Sequence, residues 1–271
     1  MINIFTIATD VYVKYIPTLK KSLCNFTPEG EQIRFILIAD TRCVDCDIYY
    51  HICNLPYPFN AYHKIDYIID CIKTFNIDKS EYFVYVDADT CFRKMSDDFW
   101  STTFKNIMSI NKLCFTRSPW RFHNHLDYEN INSSIHCKEC YINTNDYRRQ
   151  NWVQTSFFMG PISKLMGDFL NKWIEIITNC TKQHRNAPVI PYIFDQSVIN
   201  KIISIDYNKY IVDDFIFNAY AVDFINNEDY LITNFSDKNL KTCDNRYELN
   251  KFSNIFLFQK FNTDIKESKR L

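Results

Sequence analysis

The sequence predicts an α/β fold, a sandwich of helices packed on a mixed, mostly parallel sheet. Three observations predict it. Short apolar, β-branched and aromatic runs alternate with amphipathic segments in the order β-α-β-α-β. Two of those runs close on aspartate, Asp40 and Asp87, and open α/β sheets bind ligands at the carboxyl ends of their strands. The chain has 271 residues, 46% of them hydrophobic, with no repeat, linker or low-complexity stretch, which predicts one domain over 1–271 with a full core.

Ile2 to Ala8 reads as the first strand. Tyr12, Tyr15, Ile16, Leu19 and Leu23 recur at helical spacing, so a helix follows over 12–24. Ile33 to Ala39 is the second strand, closed by Asp40, and a Cys-, Pro- and Tyr-containing loop runs to about residue 60. Ala61 to Phe75 is helical, with Ile65, Ile68, Ile69 and Ile72 on one face. Tyr82 to Val86 is a buried strand, and Leu113 to Phe115 another. Residues 117–151 show no periodicity, and a long irregular segment in a domain is usually functional. Val153 to Met159 is a strand ending at Gly160-Pro161, Ile162 to Ile177 an amphipathic helix, and Asp195 to Ile203 a further helix reached through Pro188 to Tyr192. Two or three short strands fill the last third, and the charged end, about 256–271, reads as a mobile tail.

Composition narrows the function. The net charge of −1 offers no basic field for nucleic acid. Three glycines, Gly30, Gly160 and Gly167, leave no glycine-rich phosphate loop, so a bound phosphate needs a metal or basic side chains. The amino terminus lacks the basic start and cleavage site of a signal peptide, and no apolar run reaches the length of a membrane span. A cytoplasmic protein is the expectation, with its 11 cysteines mostly reduced. The pairs Cys43/Cys46 and Cys137/Cys140 have C-x-x-C spacing but lie far apart in the chain, which disfavours a zinc clip.

The most informative segment is Glu81-Tyr-Phe-Val-Tyr-Val-Asp-Ala-Asp-Thr-Cys-Phe92. It places Asp87 and Asp89, two hard oxygen ligands, at the end of a strand. They read either as a ligand pair for Mg²⁺ or Mn²⁺ beside substrate phosphates or as an acidic turn. Lys64, on the preceding helix, can neutralise a carboxylate or a phosphate, or simply be solvated. Asp195, Gln196 and Asn200 form a polar cluster suited to a hydroxylated ligand, although Asp195 also suits a helix cap. Gln154 and Ser156 share one face of a strand and can line a sugar site or be ordinary sheet residues. Tyr12, just past the first strand, can stack a base or join the core.

The order of these segments resembles nucleotide-sugar glycosyltransferases of the GT-A fold, most nearly family 6, which holds the blood-group A and B transferases and the α-1,3-galactosyltransferases. The likeness covers roughly residues 3 to 205. Phe5-Thr-Ile-Ala-Thr-Asp-Val-Tyr-Val-Lys-Tyr15 resembles the family's first strand, which implies donor contacts at Ala8 and a uracil-stacking Tyr12. Ala61-Tyr-His-Lys-Ile-Asp-Tyr-Ile-Ile69 resembles its donor-binding helix, with Lys64 at the arginine. Tyr85-Val-Asp-Ala-Asp-Thr-Cys-Phe92 is similar to its metal-binding Asp-Val-Asp strand. Thr116-Arg-Ser-Pro-Trp-Arg-Phe122 resembles the acceptor segment without its histidine, and Cys140-Tyr-Ile142 the Ala-Tyr-Ile-Pro run. Gln154-Thr-Ser-Phe-Phe-Met-Gly160 resembles the strand beside the donor sugar, which implies donor contacts at Gln154 and Ser156. Phe194-Asp-Gln-Ser-Val-Ile-Asn-Lys201 resembles Trp-His-Asp-Glu-Ser-x-x-Asn-Lys, with Gln196 where that family has its catalytic glutamate. Asp-Gln there is instead similar to family 8, whose late His-x-x-Gly-x-x-Lys motif is absent.

The resemblance implies a retaining, metal-dependent transferase moving a hexose, galactose or N-acetylgalactosamine, from a UDP-sugar to a glycan hydroxyl. It implies Mn²⁺ or Mg²⁺ on Asp87 and Asp89, donor hydroxyls on Asp195, and a basic tail with Lys269 and Arg270 folding over UDP. An amide at Gln196 cannot form a covalent glycosyl carboxylate, so front-face attack through an oxocarbenium-like state is expected, unless another carboxylate serves as nucleophile. A nucleotidyltransferase is disfavoured because its glycine-rich basic loop is missing. A nucleotide-sugar-binding protein without turnover is a further alternative.

Overall fold

The computed structural model describes residues 1–27, 30–55, 59–92, 105–117, 142, 152–184, 194–213, 216–217 and 257–259. Its main element is a seven-stranded sheet. The strands are β1 (Ile2–Ala8), β2 (Ile33–Ala39), β3 (Ile48–His51), β4 (Tyr82–Val86), β6 (Leu113–Arg117), β7 (Val153–Pro161) and β8 (Tyr210–Asp213), in the order β3-β2-β1-β4-β7-β6-β8. Every neighbouring pair is parallel except those made by β7, which is antiparallel to β4 and β6. A second, three-stranded sheet joins β5 (Thr90–Phe92), β10 (Leu257–Gln259) and β9 (Ile216–Phe217). The fold is thus α/β with a mixed, mostly parallel sheet, as in Rossmann-like folds.

Period-two alternation sends each strand's side chains to two apolar layers. On one face, Phe5, Ile36, Ile38, Phe83, Tyr85, Phe115 and Phe158 pack against helices α3 (Lys64–Thr74), α5 (Leu170–His184) and α6 (Phe194–Ile205). On the other, Ile4, Phe35, Leu37, Val84, Val86 and Met159 pack with residues of α1 (Ile16–Phe26) and α4 (Lys105–Ser109). The expected apolar face of α3 is the buried one: Ile65, Ile68, Ile69 and Ile72 are all enclosed.

Several expectations shift. The helix expected over 12–24 begins as a 3-10 segment, Asp10–Tyr15, and becomes α-helical at Ile16, where Pro17 suits the first turn. The helix expected over 61–75 is two, α2 (Phe59–Tyr62) and α3, separated at His63. Part of the expected 41–60 loop is the edge strand β3, Ile-Tyr-Tyr-His, whose strand-forming residues make a run of only four, too short to show a period. The helix expected over 162–177 runs on to His184, through a turn at Ile162–Lys164 and a π-helical segment, Leu165–Phe169, kinked at Gly167. Strand β7 continues through Gly160 and Pro161 rather than turning there. Gly160 is required for space, because a Cβ would lie 2.9 Å from the Lys112 carbonyl oxygen. Leu257–Gln259, expected in the mobile tail, form a strand. Residues 118–141, 143–151, 185–193 and 260–271, with the acceptor segment beyond Arg117, Cys137/Cys140, Lys269 and Arg270, lie outside the described residues.

Strand order places the site. From β1 the chain builds outward to β2 and β3, then returns to lay β4 on the other side of β1. The order therefore reverses between β1 and β4, and a crevice opens at the carboxyl ends of strands on either side of such a switch. Ala8 ends β1 there, and Asp87 follows directly on β4.

Candidate active site

Asp87 leaves β4 with its backbone fixed on both sides. Its N–H donates to the Ser156 carbonyl of β7 at 2.9 Å, and its carbonyl accepts the Thr90 N–H at 3.1 Å. The second bond closes a tight turn over Asp87-Ala88-Asp89-Thr90 and directs the chain into β5. Asp89 sits in that turn, 7% exposed. Asp87 is more open, with its side chain 27% exposed, and two carboxylates one residue apart in a tight turn repel each other unless cations compensate.

One compensating cation is Lys64. It opens α3, and its ammonium lies 2.6 Å from Asp195 Oδ2 and 3.3 Å from Asp87 Oδ1. It also donates to the Thr155 carbonyl at 3.4 Å and stands 4.8 Å from the Tyr85 ring centroid. Burial, the largest single influence, pushes its pKa down. The charges and hydrogen bonds of Asp195 and Asp87 together outweigh that, and the ammonium is held above the ordinary lysine range. Lys64 is therefore a carboxylate partner, not a solvated lysine.

Tyr85 completes this side. Its hydroxyl donates to Asp87 Oδ1 at 2.7 Å, and its ring stacks on Phe158 at 4.9 Å. Burial, followed by the Asp87 charge, raises the phenol well above its usual pKa, so it stays a donor. Motif matching does not find Tyr85, although the sequence carries a signal for it: residues two apart on a strand share a face.

Asp195 lies in the first turn of α6, beside Phe194, instead of capping it. A carboxylate there is favoured by the helix dipole. Its Oδ2 accepts the Thr155 hydroxyl at 2.9 Å as well as Lys64. Thr155 lies between the expected site residues Gln154 and Ser156 and has no motif signal of its own. Its placement follows from an irregularity: Phe115 pairs with Phe158 but Thr116 with Gln154, so the intervening residues of β7 leave the ladder with β6. Irregularities of this kind re-aim side chains next to functional sites.

Ser156 and Thr90 are buried, and among the described residues neither hydroxyl has a hydrogen-bond partner. Enclosed polar atoms without partners are costly and mark places a ligand can satisfy. Gln154 stands opposite Thr116 in the sheet. Ala8 is buried at the end of β1, and Tyr12 lies in the following 3-10 segment, half-buried against the α1-side core. Gln196, half-buried, follows Asp195 on α6.

Asn200 is a correction. It is fully enclosed, accepts the Val153 N–H at 2.8 Å and donates to the Val153 carbonyl at 2.8 Å and the Gln196 carbonyl at 2.9 Å. It pins α6 to β7 and does not present its amide to a sugar. Asn200→Ala is expected to strand both polar groups of Val153 and to destabilise the fold by about 1–3 kcal/mol for each. Denaturant unfolding measures it.

Among the described residues no group of three or more His, Cys, Asp or Glu side chains is arranged to hold a metal. The pair Asp87 and Asp89 nevertheless matches, in donor chemistry, a cation held by two carboxylates and substrate phosphates, the mode Mg²⁺ commonly adopts. Cys43, Cys46, Cys53, Cys71 and Cys114 are not in disulfides, whereas Cys180 is disulfide-bonded. Among the described residues no helix is long and apolar enough to cross a membrane. No protein-family model matches the chain, and no curated protein is significantly similar to it.

Proposed function

We propose that this chain is a GT-A-type retaining glycosyltransferase that moves a hexose, galactose or N-acetylgalactosamine, from a UDP-sugar to a glycan hydroxyl. The observation that carries the reading is the Asp87-x-Asp89 turn at the carboxyl end of β4, beside the topological switch and flanked by Lys64 and Asp195.

Asp87 and Asp89 would hold Mn²⁺ or Mg²⁺. Held there, it would supply positive charge beside the phosphates of the departing UDP. Asp195, fixed by Lys64 and Thr155, offers a carboxylate to donor-sugar hydroxyls. The unpartnered hydroxyl of Ser156 supplies a further contact. Gln196 is an amide and stabilises by hydrogen bonding without forming a glycosyl ester, which favours front-face attack with the departing phosphate taking the acceptor proton. Tyr12, half-buried in the 3-10 segment past the end of β1, would stack the base.

The test is mass spectrometry of UDP-galactose, UDP-N-acetylgalactosamine, UDP-glucose and UDP-N-acetylglucosamine incubated with the protein. Release of UDP with Mn²⁺ and none with EDTA is the expected result. Absence of both turnover and binding for all four donors would sink the proposal. A binding protein without turnover is the second reading, favoured by the amide at Gln196; binding of a donor with no hydrolysis or transfer would establish it.

A further inference from the structure

Tyr85 belongs to none of the roles assigned above, yet it is the most constrained residue beside the acidic turn. Its side chain is 1% exposed. The ring is held by stacking on Phe158, and Phe83 meets the same Phe158 edge-on at 5.8 Å. Its hydroxyl, emerging from that aromatic layer, reaches Asp87 Oδ1 at 2.7 Å, the same oxygen that the Lys64 ammonium approaches at 3.3 Å. A carboxylate at a strand end has two soft torsions. Two donors converging on one oxygen, one of them on a ring that cannot move, define the plane of the other.

We propose that Tyr85 is a positioning residue that sets the orientation of the Asp87 carboxylate for a divalent cation. This rests on the reading of Asp87 and Asp89 as a cation pair. Outer partners of this kind orient ligating carboxylates, and their loss typically weakens metal affinity about 10–100-fold. A tyrosine suits the task better than a lysine alone, because its donor is carried on a rigid, packed ring whereas an ammonium sits on a flexible stem.

Tyr85→Phe removes one oxygen and keeps the stack. Phe83→Leu, on the same face of β4, loosens the same aromatic layer without touching the hydroxyl. Mn²⁺ affinity is read by isothermal titration calorimetry, on the protein alone and with UDP present, on variants with wild-type far-ultraviolet circular dichroism. The expected result is a Kd raised about tenfold or more by Tyr85→Phe and unchanged by Phe83→Leu. A Tyr85→Phe Kd within twofold of wild type overturns the proposal, as does equal weakening in both variants, which would mark general loosening. If the wild-type protein binds no Mn²⁺ in either condition, the cation reading beneath it fails, and that outcome is distinct from the other two.

Discussion

Lys64→Met is expected to destabilise the protein by about 3–5 kcal/mol, the usual consequence of leaving a buried charge without its partner. The side chain of Lys64 is 9% exposed and lies within 4 Å of two carboxylates, Asp87 and Asp195. Methionine fills a similar volume, so the loss would reflect charge and not a cavity. The double variant Lys64→Met with Asp195→Asn should recover part of the loss, because it removes one of the two stranded charges. Denaturant unfolding of the three proteins measures this, and a single variant as stable as wild type would contradict the pairing. The same pair fixes a pH dependence. The folded-state pKa of Lys64 is raised, so its stabilisation is complete below the ordinary lysine value of about 10.4 and is lost as pH rises through the higher folded value. The Lys64→Met protein should lack that component of the alkaline decline.

Asp89→Asn is expected to lower Mn²⁺-dependent UDP-sugar turnover by about 10²–10³-fold, the scale of removing one preorganised electrostatic stabiliser. The exchange preserves shape and removes charge from a residue that is 7% exposed. Asp87→Asn would in addition disturb the hydrogen bonds that Tyr85 and Lys64 donate to that carboxylate. Turnover by Asp89→Asn near the wild-type rate would remove the cation from the mechanism. A parallel loss of Mn²⁺ binding by calorimetry, with unfolding unchanged, would tie the effect to the ligand and not to the fold.

Several parts of this site are legible in the sequence, and the reasons are local. Strands β1, β2 and β4 are short apolar runs bounded by polar residues, and Asp87 and Asp89 stand just past the last of these. The buried face of α3 follows from isoleucines at helical spacing. Tyr85 is legible in principle from its two-residue offset to Asp87. Thr155 is not, since the irregularity between β6 and β7 shifts which residue of Gln154-Thr-Ser156 faces α6. Asn200 suits a sugar contact by composition, but the carbonyl and N–H it binds belong to Val153, forty-seven residues away in sequence. The strand β3 carries strand-forming Ile48, Tyr49 and Tyr50, but at four residues it is too short for a period to be read.

By itself, the sequence determined the alternation of helices and strands, the faces they bury, and the placement of two carboxylates past the end of β4. Each of these depends on neighbours within a turn or a strand, where period and propensity act directly. Only the tertiary structure decided what the polar residues do. By sequence, Lys64 is equally suited to solvent, a phosphate or a carboxylate; the packing of α3, β4 and α6 brings Asp87 and Asp195 to its ammonium. The physical reason is burial. A charge or amide in water has no obligatory partner, but once enclosed it must find one, and packing selects which groups come within reach.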